Sequence, residues 1–242
     1  MRKEKRNKYW LKACFILVIV LLSQYAFSQN ETNIWYFGHN AGLDFNSGSP
    51  AALTDGQLST NEGCATIADN SGSLLFYTDG ITVWNENHAI MLNGTGLMGN
   101  PSTTQAATIV PMPGSSNLYY IFTLDSYGGA NGFRYSIVDM SLDSGNGAIT
   151  SKNILIYTPS CEKLAIVKHA NTSDYWVVTH GWGNATFYSY LLTSSGLSAT
   201  SIESNIGINA STLDTDEAIG YMRISPDGSK LALCYYFSSS LQ

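Results

Sequence analysis

The stretch AATIVPMPGSSNLYYIFT, residues 106–123, decides the fold class of this chain. An apolar run leads into a turn rich in proline, glycine, serine and asparagine at residues 113–117, and a second apolar run with three aromatic side chains follows. Two apolar runs joined by such a turn predict a β-hairpin.

The same pattern occurs four times along the chain. Each copy has a first strand of small or β-branched residues, a polar turn, and a bulkier aromatic second strand. The copies span residues 64–80, 106–125, 164–182 and 220–237. Their turns repeat every ~42 to 57 residues, which is the spacing typical of β-propeller blades with four strands each.

Further strands are expected around these hairpins. Third strands are predicted at residues 81–85, 133–140 and 186–192. Fourth strands are predicted at residues 149–157 and 197–205, and an isolated first strand at residues 33–38. No window after the N-terminal segment has convincing helical periodicity. We therefore predict an all-β, β-propeller-like domain of about three and a half four-stranded blades.

The predicted number of blades is too small for a complete ring, because closed propellers have about four to eight blades. We expect residues 29–242 to be a partial β-propeller domain, a fragment of a larger propeller. A solenoid or an open sandwich is the alternative. An uncovered last strand would expose a sheet edge that readily pairs with other strands.

The first 28 residues are typical of a secretory signal peptide. A basic segment at residues 1–13 precedes an apolar run at 14–23, and the small residues Ala26 and Ser28 suit cleavage before Gln29. The apolar run is short for a bilayer span, so an uncleaved N-terminal anchor is the less favoured alternative. We expect the protein to be secreted or held at the outer cell surface.

Cleavage would make the chain strongly acidic. The first 28 residues hold six of the twelve Lys and Arg residues and one of the eighteen Asp and Glu residues, which leaves six basic and seventeen acidic side chains and a formal charge of −11. Binding to phosphate backbones needs clustered Lys and Arg. Nucleic acid is therefore not an expected partner.

Three cysteines remain after cleavage: Cys64, Cys161 and Cys234. Their wide spacing matches neither a disulfide scaffold nor a zinc motif. We therefore predict that the cysteines are small buried side chains in or near strands. One disulfide and one free thiol would fit an oxidising compartment, and the pairing stays open.

Several segments resemble a known family. These are residues 33–50, 74–91, 99–123, 174–182 and 220–233. They look like the N-terminal propeller region of large secreted Bacteroidota proteins that continue into PKD-type domains. Such proteins often end in a gliding-motility-associated type B sorting domain, which the type IX secretion system reads. The resemblance implies a secreted or cell-surface protein with further C-terminal domains of the same polypeptide, and it implies no catalytic residues.

Loops on one face of a propeller usually carry its binding site. The loops between second and third strands bring Asp79, Asp125, Tyr127, His180 and Trp182 to this face. The segments before the innermost strands bring Glu62, Gln105, Glu162 and Glu217. The second group either binds a cation or sugar hydroxyls or accepts hydrogen bonds from strand-end N–H groups. We favour the second interpretation.

The segment STLDTDEAIG adds a weak calcium candidate, formed by Asp214, Asp216 and Glu217. Alternating acids can ligate calcium, but the full loop motif of such sites is missing. We therefore predict no cofactor, with calcium as the alternative. Motifs for nucleophilic serine, zinc peptidase or phosphate-loop chemistry are absent from the sequence.

Two functions remain in contention. The first is a non-catalytic binding or adhesion propeller with a surface glycan or a protein as its ligand, in which Trp182 and Tyr127 would stack on sugar rings. The second is a propeller-type glycan-active enzyme, a glycoside hydrolase or lyase, which needs paired carboxylates such as Asp79 and Asp125. We favour binding over catalysis, and the sequence leaves the enzyme question open.

Overall fold

The computed structural model of the protein describes residues 30–206 and 215–236, which form β-strands and three short 3-10 helices. The 3-10 helices are Asn30–Thr32, Asp143–Gly145 and Thr215–Ala218. The strands are β1 (Ile34–Phe37), β2 (Ala41–Asp44), β3 (Ala51–Leu53), β4 (Ala65–Ala68), β5 (Leu74–Thr78), β6 (Thr82–Asn85), β7 (Ile90–Thr95), β8 (Ala107–Pro111), β9 (Leu118–Leu124), β10 (Phe133–Asp139), β11 (Ala148–Tyr157), β12 (Ser160–Lys168), β13 (Tyr175–Gly181), β14 (Thr186–Thr193), β15 (Gly196–Leu197), β16 (Ile202–Asn205), β17 (Met222–Ile224) and β18 (Leu231–Leu233). The predicted all-β class is confirmed. The predicted signal peptide, residues 1–28, lies outside the described residues.

The strands fall into five consecutive antiparallel groups. We call them the N-terminal sheet (β1–β3), the first meander (β4–β7), the second meander (β8–β11), the third meander (β12–β14 with β16, and β15 at one edge) and the C-terminal hairpin (β17–β18). All four predicted hairpins are present, as β4–β5, β8–β9, β12–β13 and β17–β18.

The hairpin turns depend on residues that tolerate a positive φ. Gly72, Gly114 and Gly228 adopt φ values of 89°, 74° and 71° in three of the turns, a region that glycine enters without a steric penalty. Thr172 takes the equivalent conformation in the turn of β12–β13, with φ of 65°. The turn chemistry visible in the sequence therefore sets three of the four hairpins.

The first two meanders join edge to edge, which the sequence did not predict. Strand β7 pairs in parallel with β11 through Leu92 and Ala148, and the two meanders become one eight-stranded sheet. Lys152 of β11 donates from its Nζ to Asn93 Oδ1 at 2.7 Å and to the Thr95 carbonyl at 2.8 Å. These hydrogen bonds add to the contact between β11 and β7. At the other end β4 and β8 lie in contact, so the sheet is nearly closed.

Each group packs against the next one in the chain, and the alternation of side chains along the strands makes this possible. On β9, Ile121 faces the first meander and contributes to a core that contains Phe76 and Val83. The next residue, Phe122, points to the opposite face and packs in the core shared with Val177 of the third meander. A strand covered on both faces is apolar at nearly every position, as β9 is.

The N-terminal sheet and the C-terminal hairpin each pack against the neighbouring meander in the same way. Tyr36 of the N-terminal sheet stacks on Tyr77 of the first meander, with ring centroids 4.6 Å apart. Met222 of the C-terminal hairpin is fully buried against Val178 and Phe187 of the third meander. The packing order thus follows the chain order through all five groups.

Candidate functional site

The first strands of the second meander, the third meander and the C-terminal hairpin converge on the side-chain amide of Gln105. This residue precedes β8 and is 6% exposed. Its Oε1 accepts hydrogen bonds from the backbone N–H groups of Leu164 at 3.0 Å and Met222 at 2.9 Å. Its Nε2 donates to the carbonyls of Leu164 at 2.6 Å and Met222 at 3.5 Å. One amide therefore bridges β12 and β17, and we call this meeting point the junction.

Glu162, on β12, fixes two loops of the second meander to the junction. The residue is fully buried. Its Oε2 accepts from the N–H and the hydroxyl of Thr104, at 2.8 and 3.0 Å, and its Oε1 accepts from the N–H of Tyr127 at 2.9 Å. A buried carboxylate is tolerated when backbone donors satisfy its oxygens. Gln105 and Glu162 thus take the structural role that the sequence analysis favoured.

Lys163, the next residue on β12, points to the other side of the strand and holds the 3-10 helix Thr215–Ala218. Its fully buried ammonium donates to the carbonyls of Glu217 at 3.2 Å, Ala218 at 2.9 Å and Ile219, and lies 4.8 Å from the ring centre of Tyr235. Cations are favourable at carbonyl-rich helix ends. Burial lowers the pKa of Lys163 to about 8.

His180 and Cys161 lie buried beside this ammonium and are held in their uncharged forms. His180 Nδ1 is 2.8 Å from the Gly181 carbonyl, and a carbonyl can only accept, so Nδ1 carries the proton. Its Nε2 then accepts from the hydroxyl of Tyr235 at 3.5 Å. Burial lowers the pKa of His180 and raises the pKa of Cys161 to about 12, which leaves no reactive thiolate here.

Trp182 lies next to this pair and is only 9% exposed. Its ring packs with Cys161 and Ala218, and Gly128 of the neighbouring loop lies so close to it that a Cβ at that position would be 2.2 Å from the ring. The indole is therefore mostly covered by the protein itself. Little of its face is open to a sugar ring.

Asp79 and Asp125 both organise their own loops. Asp79 Oδ1 accepts from the N–H groups of Ile81 at 2.8 Å and Thr82 at 2.7 Å. The two oxygens of Asp125 accept from the N–H groups of Ser126 at 2.9 Å and Asn131 at 3.0 Å. Aspartates that bond to nearby backbone donors are common at turns.

The accessible side chains near the junction are few. The side chain of Tyr127 is 43% exposed, and its own backbone adopts a positive φ of 53°. Glu62 is also exposed. The pKa of Glu62 is raised, mainly by partial burial and then by the charge of Glu162. Asp216 and Glu217 are half-buried. Among them Tyr127 contributes an exposed aromatic ring and Glu62 an exposed carboxylate.

The calcium candidate is described only in part, because Asp214 lies outside the described residues. Within residues 30–206 and 215–236, no group of three or more His, Cys, Asp or Glu side chains is arranged to hold a metal ion. The three described cysteines are free: Cys161 is buried, Cys64 is partly buried and Cys234 is exposed.

Two features of the site escaped the sequence analysis. The first is Lys163, for which the available signal was a charged side chain inside the largely apolar strand β12. The second is Thr104, whose hydroxyl accepts from the Gly220 N–H at 3.3 Å and so contacts the C-terminal hairpin. No local pattern points to Thr104, because its partner is 116 residues away.

A second polar cluster ties the N-terminal sheet to the first meander. Asp55 accepts from the Tyr36 hydroxyl at 2.8 Å and contacts His88 Nε2 at 3.3 Å, while His88 Nδ1 lies 3.1 Å from the Tyr77 hydroxyl. Burial and the neighbouring Asp55 raise the pKa of Tyr36, and the same hydrogen bond lowers the pKa of Asp55. Sequence reasoning missed this cluster because its four members lie on two strands and in two loops that are far apart in the sequence.

No protein family, curated protein or solved structure matches this chain. In the part of the chain that the structure describes, no helix is both long enough and apolar enough to cross a bilayer.

Replacing the junction amide should destabilise the fold. In Gln105→Ala the buried N–H and carbonyl groups of Leu164 and Met222 lose their partners, and we expect the free energy of unfolding to fall by about 2–4 kcal/mol. Urea unfolding followed by tryptophan fluorescence measures this. The matched control is Gln57→Ala, because Gln57 is exposed and its side chain bonds only to a neighbouring carbonyl. Equal stability of the two variants would contradict the bridging role.

Acid should destabilise the protein through His180. Since its folded-state pKa is lowered, the unfolded chain takes up a proton that the folded chain does not, and below pH ~6.5 the free energy of unfolding falls by up to ~1.4 kcal/mol per pH unit. Asn in His180→Asn keeps a donor and cannot titrate. We expect the stability difference between wild type and this variant to shrink between pH 7 and pH 5.5 in urea unfolding. A constant difference would contradict this.

Proposed function

We propose that residues 29–242 form part of a β-propeller that acts as a non-catalytic binding or adhesion domain outside the bacterial cell. The observation that carries the proposal is the junction. Successive antiparallel meanders pack face to face, and the first strands of three groups meet at Gln105. In a propeller the first strands of the blades surround the central axis, so their convergence supports this architecture over a solenoid.

The chemistry at the junction favours binding over catalysis. Glu162 and Gln105 direct their polar atoms at backbone groups of the protein, and His180 is buried in its neutral form. A glycan-active enzyme needs two carboxyl groups that flank the scissile bond. The nominated pair, Asp79 and Asp125, is bonded to the N–H groups of its own loops instead.

The ligand we propose is a surface glycan. Tyr127 has an exposed ring and Glu62 an exposed carboxylate, and both residues are near Glu162: the Tyr127 N–H donates to it, and its charge raises the pKa of Glu62. Aromatic faces stack on the apolar side of sugar rings, and carboxylates accept from sugar hydroxyls. A protein ligand is the alternative. The net charge of −11 after signal cleavage argues against nucleic acid.

The proposed location follows from the N-terminal segment and the family resemblance. Basic and apolar segments before Gln29 favour export, and the segments that resemble Bacteroidota proteins with PKD-type and type B sorting domains favour the cell surface. On this proposal further domains of the same polypeptide would anchor the propeller through the type IX secretion system.

Glycan binding should depend on Tyr127. A glycan array probed with the labelled chain identifies the sugar, and isothermal titration then gives its affinity. We expect Tyr127→Ala to weaken binding about tenfold, which corresponds to about 1.4 kcal/mol. The control is Trp35→Ala, which removes an aromatic ring of similar exposure, 49%, from the N-terminal sheet. Absence of glycan binding, or equal affinities of the two variants for the glycan, would contradict the glycan proposal.

Export should remove the first 28 residues. When the full chain is expressed in a bacterial host, we expect intact-mass spectrometry of the exported protein to give a chain that begins at Gln29. A charge in the apolar run, Val18→Asp, should keep the protein uncleaved inside the cell. The same charge placed after the cleavage site, Asn30→Asp, should leave export unchanged. A retained N-terminus in the exported protein would support the anchor instead.

A further inference from the structure

Tyr157 and Tyr188 form a close pair of phenol rings between the second and third meanders. Tyr157 lies at the end of β11, and Tyr188 lies on β14. Their ring centroids are 4.1 Å apart, with an angle of 30° between the ring planes. Aromatic pairs in proteins more commonly have centroids ~4.5 to 7 Å apart. The two rings are therefore in direct van der Waals contact.

Hydrogen bonds hold the two hydroxyl groups next to each other. The Tyr157 hydroxyl donates to the Tyr188 hydroxyl at 3.1 Å. Asn184 Nδ2 donates to the Tyr157 oxygen at 3.2 Å, and Asn184 Oδ1 accepts from the Thr186 N–H at 2.9 Å. Because the Asn184 amide is held by both of its polar atoms, the Tyr157 oxygen keeps its position beside Tyr188. The ring carbons adjacent to the hydroxyl-bearing carbons, the ortho carbons, are thus brought together.

Two other tyrosine pairs with ring contacts are less accessible to solvent. Tyr36 and Tyr77 have ring centroids 4.6 Å apart, but both side chains are buried. Tyr120 and Tyr135 have centroids 5.1 Å apart, and Tyr120 is buried. Both rings of the β11–β14 pair are half-buried, so small oxidants in the solvent reach them.

We propose that Tyr157 and Tyr188 are an oxidative cross-linking site, at which a peroxide and a one-electron oxidation catalyst such as haem join the rings as dityrosine. Each phenol loses one electron and one proton to give a phenoxyl radical, whose unpaired electron is shared between the oxygen and the ortho and para carbons. The radicals form one bond between two ortho carbons. Each of these carbons then loses its proton, and each oxygen regains one. In sum, two tyrosines and one hydrogen peroxide give one dityrosine and two waters.

The contact between the rings favours this product over links between separate molecules. Holding two reactants in a productive geometry replaces a bimolecular encounter with an intramolecular step. The new bond would tie the second meander to the third and close a loop between residues 31 positions apart. A cross-link that closes such a loop stabilises the fold by restricting the unfolded chain. The proposal depends neither on glycan binding nor on the propeller architecture.

Treatment of the dilute, full-length chain with hydrogen peroxide and a small haem peptide tests the proposal. We expect a monomeric product with dityrosine fluorescence. After digestion with trypsin, the peptide of residues 153–163 should be joined to the peptide of residues 169–223. The mass of the joined pair should be lower than the sum of the two peptides by two hydrogen atoms, and fragmentation should place the bond between Tyr157 and Tyr188.

Two phenylalanine variants locate the reaction. Tyr188→Phe keeps the ring but cannot form a phenoxyl radical, and we expect about tenfold less dityrosine in the monomer. The control is Tyr221→Phe, which should cross-link like the wild type, because Tyr221 is 43% exposed and lies in the same tryptic peptide as Tyr188. Treatment should also raise the urea midpoint of the wild type by about 1 M relative to its effect on Tyr188→Phe. Circular dichroism checks that both variants are folded.

Several results would overturn the proposal. A monomeric product that maps to other tyrosines would place the reaction elsewhere. Equal yields of monomeric dityrosine from the wild type and Tyr188→Phe would show that this pair does not react. Dityrosine confined to covalent dimers, or no dityrosine at all, would mean that the two rings are not aligned for coupling. An unchanged urea midpoint of the cross-linked monomer would contradict its stabilising effect.

Discussion

The fold depends on one physical constraint: strand ends that are buried where three groups meet must find hydrogen-bond partners without water. The amide of Gln105 meets this requirement for β12 and β17 at once, because its Oε1 accepts from the N–H groups and its Nε2 donates to the carbonyls of both Leu164 and Met222. Glu162 satisfies the N–H groups of the adjoining loops. Removing either side chain would leave buried polar groups unpaired, and this is more costly than losing an exposed contact.

The same constraint separates stability from function in this protein. Polar residues that converge in sequence-based reasoning suggest a ligand site, yet those at the junction are bonded to the protein. His180 and Lys163 follow the same principle, since both are buried and each donates from a nitrogen to a backbone carbonyl. Close to the junction, the ring of Tyr127 is exposed.

The local elements of the fold were predictable, and the reasons can be read from individual residues. The turn at Gly114 lies between two apolar runs, so the hairpin β8–β9 is visible in a short window. The sequence analysis did not predict strand β7. Asn93 and Gly94, residues typical of turns, interrupt its strand pattern, and Asn93 adopts a positive φ. Its parallel contact with β11 joins residues 56 positions apart, and no local window contains both. Of the candidate site, sequence position indicated Gln105 and Glu162 but could not distinguish ligand contacts from backbone contacts.

The sequence by itself determined the all-β class and the four hairpins, because apolar alternation and turn residues act over a few neighbouring positions. The tertiary structure alone decided which polar side chains are buried and what they bond. Glu162 and Lys163 are adjacent charged residues, and the sequence alone gives no reason to expect either to be buried. Successive side chains of a strand point to opposite faces. One therefore meets the N–H groups of the second meander, and the other meets the carbonyls of the helix Thr215–Ala218. The physical reason is that hydrogen-bond partners far apart in the chain are brought together only by packing.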